Sequence, residues 1–314
     1  CMGALLNPQI LTIGFSRRFT EYKRPALILY DIPRLKRIIN NPRYPVQIVF
    51  AGKSHPADFS GKYLLHKIYS LALDREFQGR IAFVEDYDMH FARYLTRGID
   101  VWLNTPYRMQ EASGTSGMKV AANGGLNLSV LDGWWAEAYH VDIGWAIGRG
   151  EVYEDLKYQE EVESNALYSL LEKEIAPLFY DRGPDGLPRG WIARMKSAMS
   201  AVIPAYNTHR MVMEYTERLY RQAERGYQRL AEKGFARARQ LAEWKARLYQ
   251  HWPEVKIVGL ETNANGQLNV GDELEVRASV HLGQLGPDDV SVEVCEGVLN
   301  SDGEIDDGRA VPMS

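Results

Sequence analysis

Cysteine is almost missing from this chain: Cys1 and Cys295 are the only two in 314 residues. Two thiols build no disulfide framework, so a reducing, cytoplasmic compartment is expected. No apolar run approaches the ~20 residues of a membrane-spanning helix. No basic segment leading into an apolar one opens the chain, so no signal peptide is expected. Charge of one sign is not in excess either. The 37 Lys and Arg against 41 Asp and Glu leave a net charge of −4. That balance gives no support for nucleic-acid or membrane-surface binding, and no metal site is expected. What is present is ordinary for a soluble protein, 45% hydrophobic and 25% charged. The length allows a sizeable core and more than one domain. Both ends read as cut: a buried-strand pattern, Ile10-Leu-Thr-Ile-Gly-Phe15, begins within ten residues of Cys1, and the far end stops after a few strand-like segments. A piece of a longer enzyme is therefore expected.

Up to about residue 150, short apolar runs alternate with helical patterns. Leu11–Phe15, Val46–Ala51, Arg80–Val84, Val101–Asn104 and Leu126–Leu131 read as strands. Pro25–Asn40, Asp58–Phe77 and His90–Arg97 read as helices, and another carries Lys119. Such alternation predicts an α/β fold, a parallel sheet with helices on both faces. Ligands gather in these sheets where strand carboxyl ends meet helix starts. From Asp155 to Trp252 the pattern is almost wholly helical, with Thr208 as an expected N-cap. The arginines between Arg218 and Arg247 are interspersed with glutamates and read as a solvated face. From Val255 the period drops to two, as in Leu274, Val276, Ala278, Val280, Leu282 and then Val290, Val292, Val294. Turns at Asn265-Gly266 and Gly271-Asp272 separate three or four strands of a small, unfinished β module. The expected domains are 1–150, 151–252 and 253–314.

The densest chemical signal is Glu111-Ala-Ser-Gly-Thr-Ser-Gly-Met-Lys119, followed by Val-Ala-Ala-Asn123-Gly-Gly. Glycines let the backbone approach a ligand, and N–H groups at a helix start attract phosphate. Lys119 either holds phosphate as a point charge or, once neutral, attacks an aldehyde to form a Schiff base. The bland alternative is a glycine-rich connection with a surface lysine. A second segment, Gly14-Phe-Ser-Arg17-Arg18-Phe-Thr-Glu21-Tyr22-Lys23-Arg24, packs four cations behind the first strand. Two neighbouring phosphates would need such a cluster; a solvated basic loop is the alternative. Lys53 and His55 stand at another strand end, where His55 reads equally as a structural residue. Glu85, Asp86 and Tyr87 stand at a third, as an acid–base pair or as caps of the next helix. Trp134 and Trp135 read as a sugar platform or as core.

Together these segments resemble the α-glucan (glycogen, starch, maltodextrin) phosphorylases, in wording closer to the shorter bacterial type. The likeness rests on Arg17-Arg18-Phe-Thr-Glu-Tyr-Lys23-Arg24, Phe-Ala-Gly-Lys53, Glu85-Asp-Tyr87 and above all Glu111–Lys119 with Asn123-Gly124, and covers roughly residues 8 to 250. The resemblance implies the C-terminal Rossmann-like domain of a GT-B fold, followed by helices and a small β module. It implies pyridoxal 5'-phosphate, with Lys119 forming the Schiff base and Arg17, Thr115, Gly114 and Tyr87 around the cofactor. It implies Arg18 and Lys23 on the substrate phosphate, and Tyr22, Glu111, Ala112, Ser113 and Gly114 on the glucosyl unit. Lys119, Arg18 and Lys23 would then carry the catalysis. The implied reaction cleaves α-1,4-glucan with inorganic phosphate to α-D-glucose 1-phosphate, with retention. Ser116-Gly117 stands where the animal-type pattern has Gly-Asn. The family's first Rossmann-like domain is not in this chain, so the chain alone is expected to be inactive and to partner that domain, with a homo-oligomer possible.

Two rivals stay open on the sequence. A nucleotide-sugar glycosyltransferase of the same fold would place a diphosphate on the basic loop and no cofactor on Lys119. A non-catalytic glucan-binding module would use the C-terminal helices and strands. An amine-handling pyridoxal enzyme finds no carboxylate placed for the pyridine nitrogen.

Overall fold

The computed structural model describes residues 6–77, 79–263, 271, 273–300 and 304–313. The turn expected at Asn265-Gly266 lies outside the described residues, as does Asp272. The chain forms two compact units, Cys1–Met213 and Glu214–Ser314.

The first unit is built on six parallel strands: β1 Leu11–Ser16, β2 Val46–Ala51, β3 Ile81–Val84, β4 Val101–Asn104, β5 Leu126–Val130 and β6 Gly144–Ile147. Their order across the sheet is β3-β2-β1-β4-β5-β6, and every pairing is parallel. The fold class read from the sequence is the one observed. Every residue of β1 and β2 is buried, because helices cover both faces and leave no wet side. One face carries the main core, including Phe15, Phe50, Trp135, Tyr168 and Trp191. The other carries a smaller one of Val49, Ala51, Val84, Leu95, Ile99, Trp102 and Val120. The strand order reverses between β1 and β4, so the crevice for a ligand lies where Ser16 and Asn104 end these two strands.

The helices follow local capping chemistry. They are α1 Ile32–Ile39, α2 Phe59–Leu73, α3 Met89–Gly98, α4 Ser116–Ala122, α5 Trp134–Ala138, α6 Leu156–Leu170, α7 Ala176–Tyr180, α8 Arg189–Ala205, α9 Thr208–Tyr215 and α10 Arg221–His251. Asp31, Asp58, Asp88 and Asp155 accept N–H bonds from the first turns of α1, α2, α3 and α6. The single helix expected over Pro25–Asn40 is not formed. Arg24 turns left-handed at φ 42°, a short turn spans Leu27–Leu29, and α1 starts only after Asp31 captures the Arg34 N–H. Pro33, not Pro25, occupies the first helical turn. Nor is Thr208 the N-cap: the Asn207 side chain accepts the Arg210 N–H at 2.9 Å, one residue earlier. Tyr168 of α6 ties the helical layer to the loops at the sheet's carboxyl edge. Its hydroxyl donates to the Ile28 carbonyl at 2.9 Å and accepts the Asp31 N–H at 2.9 Å. Burial pushes that phenol up to about 12.

Among the described residues the second unit holds α10 and four strands in two antiparallel pairs, β7 Lys256–Thr262 with β8 Val276–His281, and β9 Glu293–Leu299 with β10 Ile305–Pro312. The almost wholly helical pattern expected up to Trp252 is interrupted here: Glu232–Phe235 leave helical geometry, so α10 is two helical segments joined by a kink. The arginines from Arg218 to Arg247 are exposed, as a solvated face requires. In β8 the burial alternates residue by residue, as the period of two predicted. Trp244 and Arg247 both hydrogen-bond Asp289, pinning the helix to the turn at Pro287–Asp289.

Candidate active site

The basic segment leaves β1 at the crevice and sorts its four cations into different environments. Arg17 and Lys23 are each 8% exposed, and Arg24 is 4% exposed; Arg18 faces solvent. Buried cations need partners. Arg17 donates through Nη1 to Asn104 Oδ1 at the end of β4, while its Nη2 lies 3.0 Å from Glu111 Oε2. Asn104 in turn donates to Ser129 Oγ at 2.9 Å. A polar chain thus crosses the ends of β1, β4 and β5. Lys23 Nζ lies 3.0 Å from the same Glu111 Oε2. Burial lowers the Arg17 guanidinium below its ordinary value, and Glu111 opposes that shift. Arg24 points elsewhere. It donates to the Thr105 and Pro106 carbonyls at 2.9 Å each, pairs with buried Glu163 and stacks over Tyr107. These contacts make it a brace between the loop after β4 and α6.

The Glu111–Gly114 loop is held from behind. The Glu111 N–H donates to Asp132 Oδ2 at 2.8 Å, and the Trp134 N–H donates to the Ser113 carbonyl at 2.9 Å. Between them Gly133 sits at φ 52° with Ser113 O only 2.2 Å from where a Cβ would stand, so the two backbones touch. Gly114, at φ 71°, faces Arg17: a Cβ there would lie 3.4 Å from Nη2. The chain then enters α4, whose N-cap residue Thr115 makes no side-chain cap. Ala112, Ser113 and Thr115 are exposed, Gly114 is half-buried, and Lys119 is exposed in the last turn of the helix. Among the described residues the Lys119 ammonium has no ion pair.

Around the neighbouring strand ends, Lys53 Nζ stands 4.0 Å from Asp86 Oδ1, and Tyr87 is half-buried against Phe91. The Phe19 N–H donates to the Lys53 carbonyl at 3.0 Å, but no side-chain hydrogen bond or ion pair among the described residues joins this group to the Arg17 cluster. Tyr22 lies under Lys23, whose Nζ is 5.0 Å from its ring centre. The bland readings hold for two candidates. His55 Nδ1 accepts the Ala57 N–H at 3.1 Å, and Trp134 and Trp135 are core residues at 5% and 0% exposure. Neither Glu85 nor Asp86 caps α3; Asp88 does. Sequence reasoning missed Asn104, Ser129 and Asp132. The available signal was a polar residue closing, or just following, an apolar strand.

Residues 3–168 match the carbohydrate phosphorylase family model. This chain belongs to the carbohydrate phosphorylase family. Residues 252–314 match the glycogen phosphorylase C-terminal domain. A glycogen phosphorylase of Aquifex aeolicus is 50% identical over 69% of this chain and 31% of its own length. A maltodextrin phosphorylase of Thermococcus litoralis is 42% identical over 93% of this chain and 34% of its own length. A glycogen phosphorylase of Mycobacterium bovis is 41% identical over 100% of this chain and 36% of its own length. The chain spans about a third of the length of these curated relatives. No described helix is long and apolar enough to cross a membrane.

Proposed function

We propose that the whole protein to which this chain belongs is a cytoplasmic α-glucan phosphorylase, cleaving α-1,4-glucan with inorganic phosphate to α-D-glucose 1-phosphate. The observation that carries the reading is the pair of buried cations, Arg17 and Lys23, at the switch point of the sheet beside the Glu111–Lys119 loop. A solvated basic loop would not bury them. Family membership supports the same reading.

The residues fit pyridoxal 5'-phosphate. Arg17 supplies a fork for phosphate oxygens, Gly114 brings no side chain of its own toward it, Thr115 leaves the first N–H groups of α4 without a side-chain cap, and Lys119 offers an exposed amine. Tyr87 would border the ring. When bound, the cofactor supplies a phosphate acid–base group. The chain's own work is positional and electrostatic. Arg18 and Lys23 would hold inorganic phosphate, offsetting its charge so that it can stand beside a second phosphate. The loop from Glu111 to Gly114, together with Tyr22, would receive the glucosyl hydroxyls. Phosphate then protonates the departing glycosidic oxygen and bonds to the anomeric carbon. The rest of the sugar pocket comes from the part of the protein outside this chain, so the chain alone would not turn over.

The test is phosphate-dependent release of glucose 1-phosphate from maltodextrin by the full-length protein, and its loss in Lys119→Ala. Activity untouched by that substitution, or tight nucleotide-sugar binding without phosphorolysis, contradicts the proposal.

A further inference from the structure

One oxygen, Glu111 Oε2, serves both buried cations, at 3.0 Å from Arg17 Nη2 and 3.0 Å from Lys23 Nζ. The other Arg17 terminal nitrogen is committed to Asn104. The Glu111 side chain is itself 11% exposed, so this is a shielded triad and not a surface pair. A phosphate oxygen seeking the donors of Arg17 and Lys23 must therefore meet a carboxylate already bound to them. Like charges at hydrogen-bond range repel in a shielded site. The backbone of Glu111 is fixed by Asp132, while its side chain borders Gly114, where the absence of a Cβ spares it a further contact at 3.7 Å from Oε1. We propose that the Glu111 carboxylate is a resident counter-anion of the Arg17–Lys23 site, and that a phosphate dianion binds there by displacing it. Glu111 then sets the phosphate affinity of the site, a role separate from any contact its backbone makes with sugar. This rests on the phosphate-site reading above.

The dianion has two sources, a phosphorylated cofactor or free inorganic phosphate. The full-length protein, prepared without cofactor, is titrated with pyridoxal 5'-phosphate and with pyridoxal; the cofactor-loaded protein is titrated with inorganic phosphate. Glu111→Gln keeps an acceptor for Arg17 and Lys23 but removes the charge. Displacement predicts at least tenfold tighter binding of pyridoxal 5'-phosphate with pyridoxal unchanged, if the cofactor's phosphate is the displacing group. It predicts the same gain for inorganic phosphate if the free anion is. Glu111→Asp, which withdraws the carboxylate by one methylene, is expected to move affinity the same way by less and covers the case in which Gln does not fold. Unchanged or weaker binding of both phosphates overturns the inference. Reductive labelling of wild-type Lys119 by pyridoxal 5'-phosphate is scored separately. Labelling without the tightening sinks only the Glu111 role; its absence sinks the cofactor reading instead.

Discussion

Replacing Gly133 by alanine tests how the active-site loop is supported. Gly133 adopts φ 52°, ψ −136°, a region nearly closed to L-residues, and the conformation alone costs roughly 1–3 kcal/mol. The added methyl would also lie 2.2 Å from Ser113 O, 2.8 Å from Ser113 C and 2.9 Å from Glu111 O. All three are backbone atoms, so no rotamer change relieves them. The Glu111–Ser113 segment must shift away, and the Trp134 N–H bond to Ser113 would lengthen or break, at about 1 kcal/mol. A total loss of about 3 kcal/mol follows. Gly186→Ala is the matched control: φ is 75° there, but nothing lies within 4 Å of the new methyl, so only a conformational cost of about 1 kcal/mol applies. Urea unfolding followed by tryptophan fluorescence reads both, since Trp134 and Trp135 are buried beside the site. The Gly133 variant should lose clearly more stability than the control and should also bind phosphate more weakly. Equal losses in the two variants would refute the claim that these backbones are in contact.

Two further outcomes are expected elsewhere in the sheet unit. Burial pushes the Asp100 carboxyl up to about 6 from 3.8, partly offset by the Thr12 N–H bond. The native state therefore binds this proton more tightly than the unfolded chain, and the group's contribution to stability falls as pH rises from about 4 through 6. Up to about 3 kcal/mol is at stake. Asp100→Asn should remove that slope in pH-dependent urea melts, and an unchanged slope would contradict it. Glu163→Leu should destabilise by about 3–5 kcal/mol, because Arg24 is left buried with carbonyls but no counter-charge; a loss under about 1 kcal/mol would show that the pair is not what holds Arg24.

The first five strands were readable because a parallel sheet covered on both faces writes itself as short, mainly apolar runs, and Val46–Ala51 has the same limits in sequence and structure; β6 Gly144–Ile147 was not read as a strand. The order of those strands was not readable, since it depends on contacts between residues far apart. Helix starts failed where a local side chain decided them. Asp31 and Asn207 each capture an N–H three residues on, which no apolar periodicity records. The cationic loop was legible as a cluster, but not the division within it. Arg17 and Arg18 are neighbours, and only the turn of the chain after β1 buries one and exposes the other. The partners of Asn104 and Asp132 were not readable for the same reason, because they stand 87 and 21 residues away.

The central claim is that Lys119 stands beside a phosphate site formed at Arg17 and Lys23. The full-length protein treated with pyridoxal 5'-phosphate and borohydride, then digested and mapped by mass spectrometry, tests it most directly. The account predicts a pyridoxyl-phosphate adduct on Lys119 that is strongly diminished in Arg17→Ala and not competed by pyridoxal. An adduct spread over surface lysines, or one on Lys119 indifferent to the loss of Arg17, would contradict it.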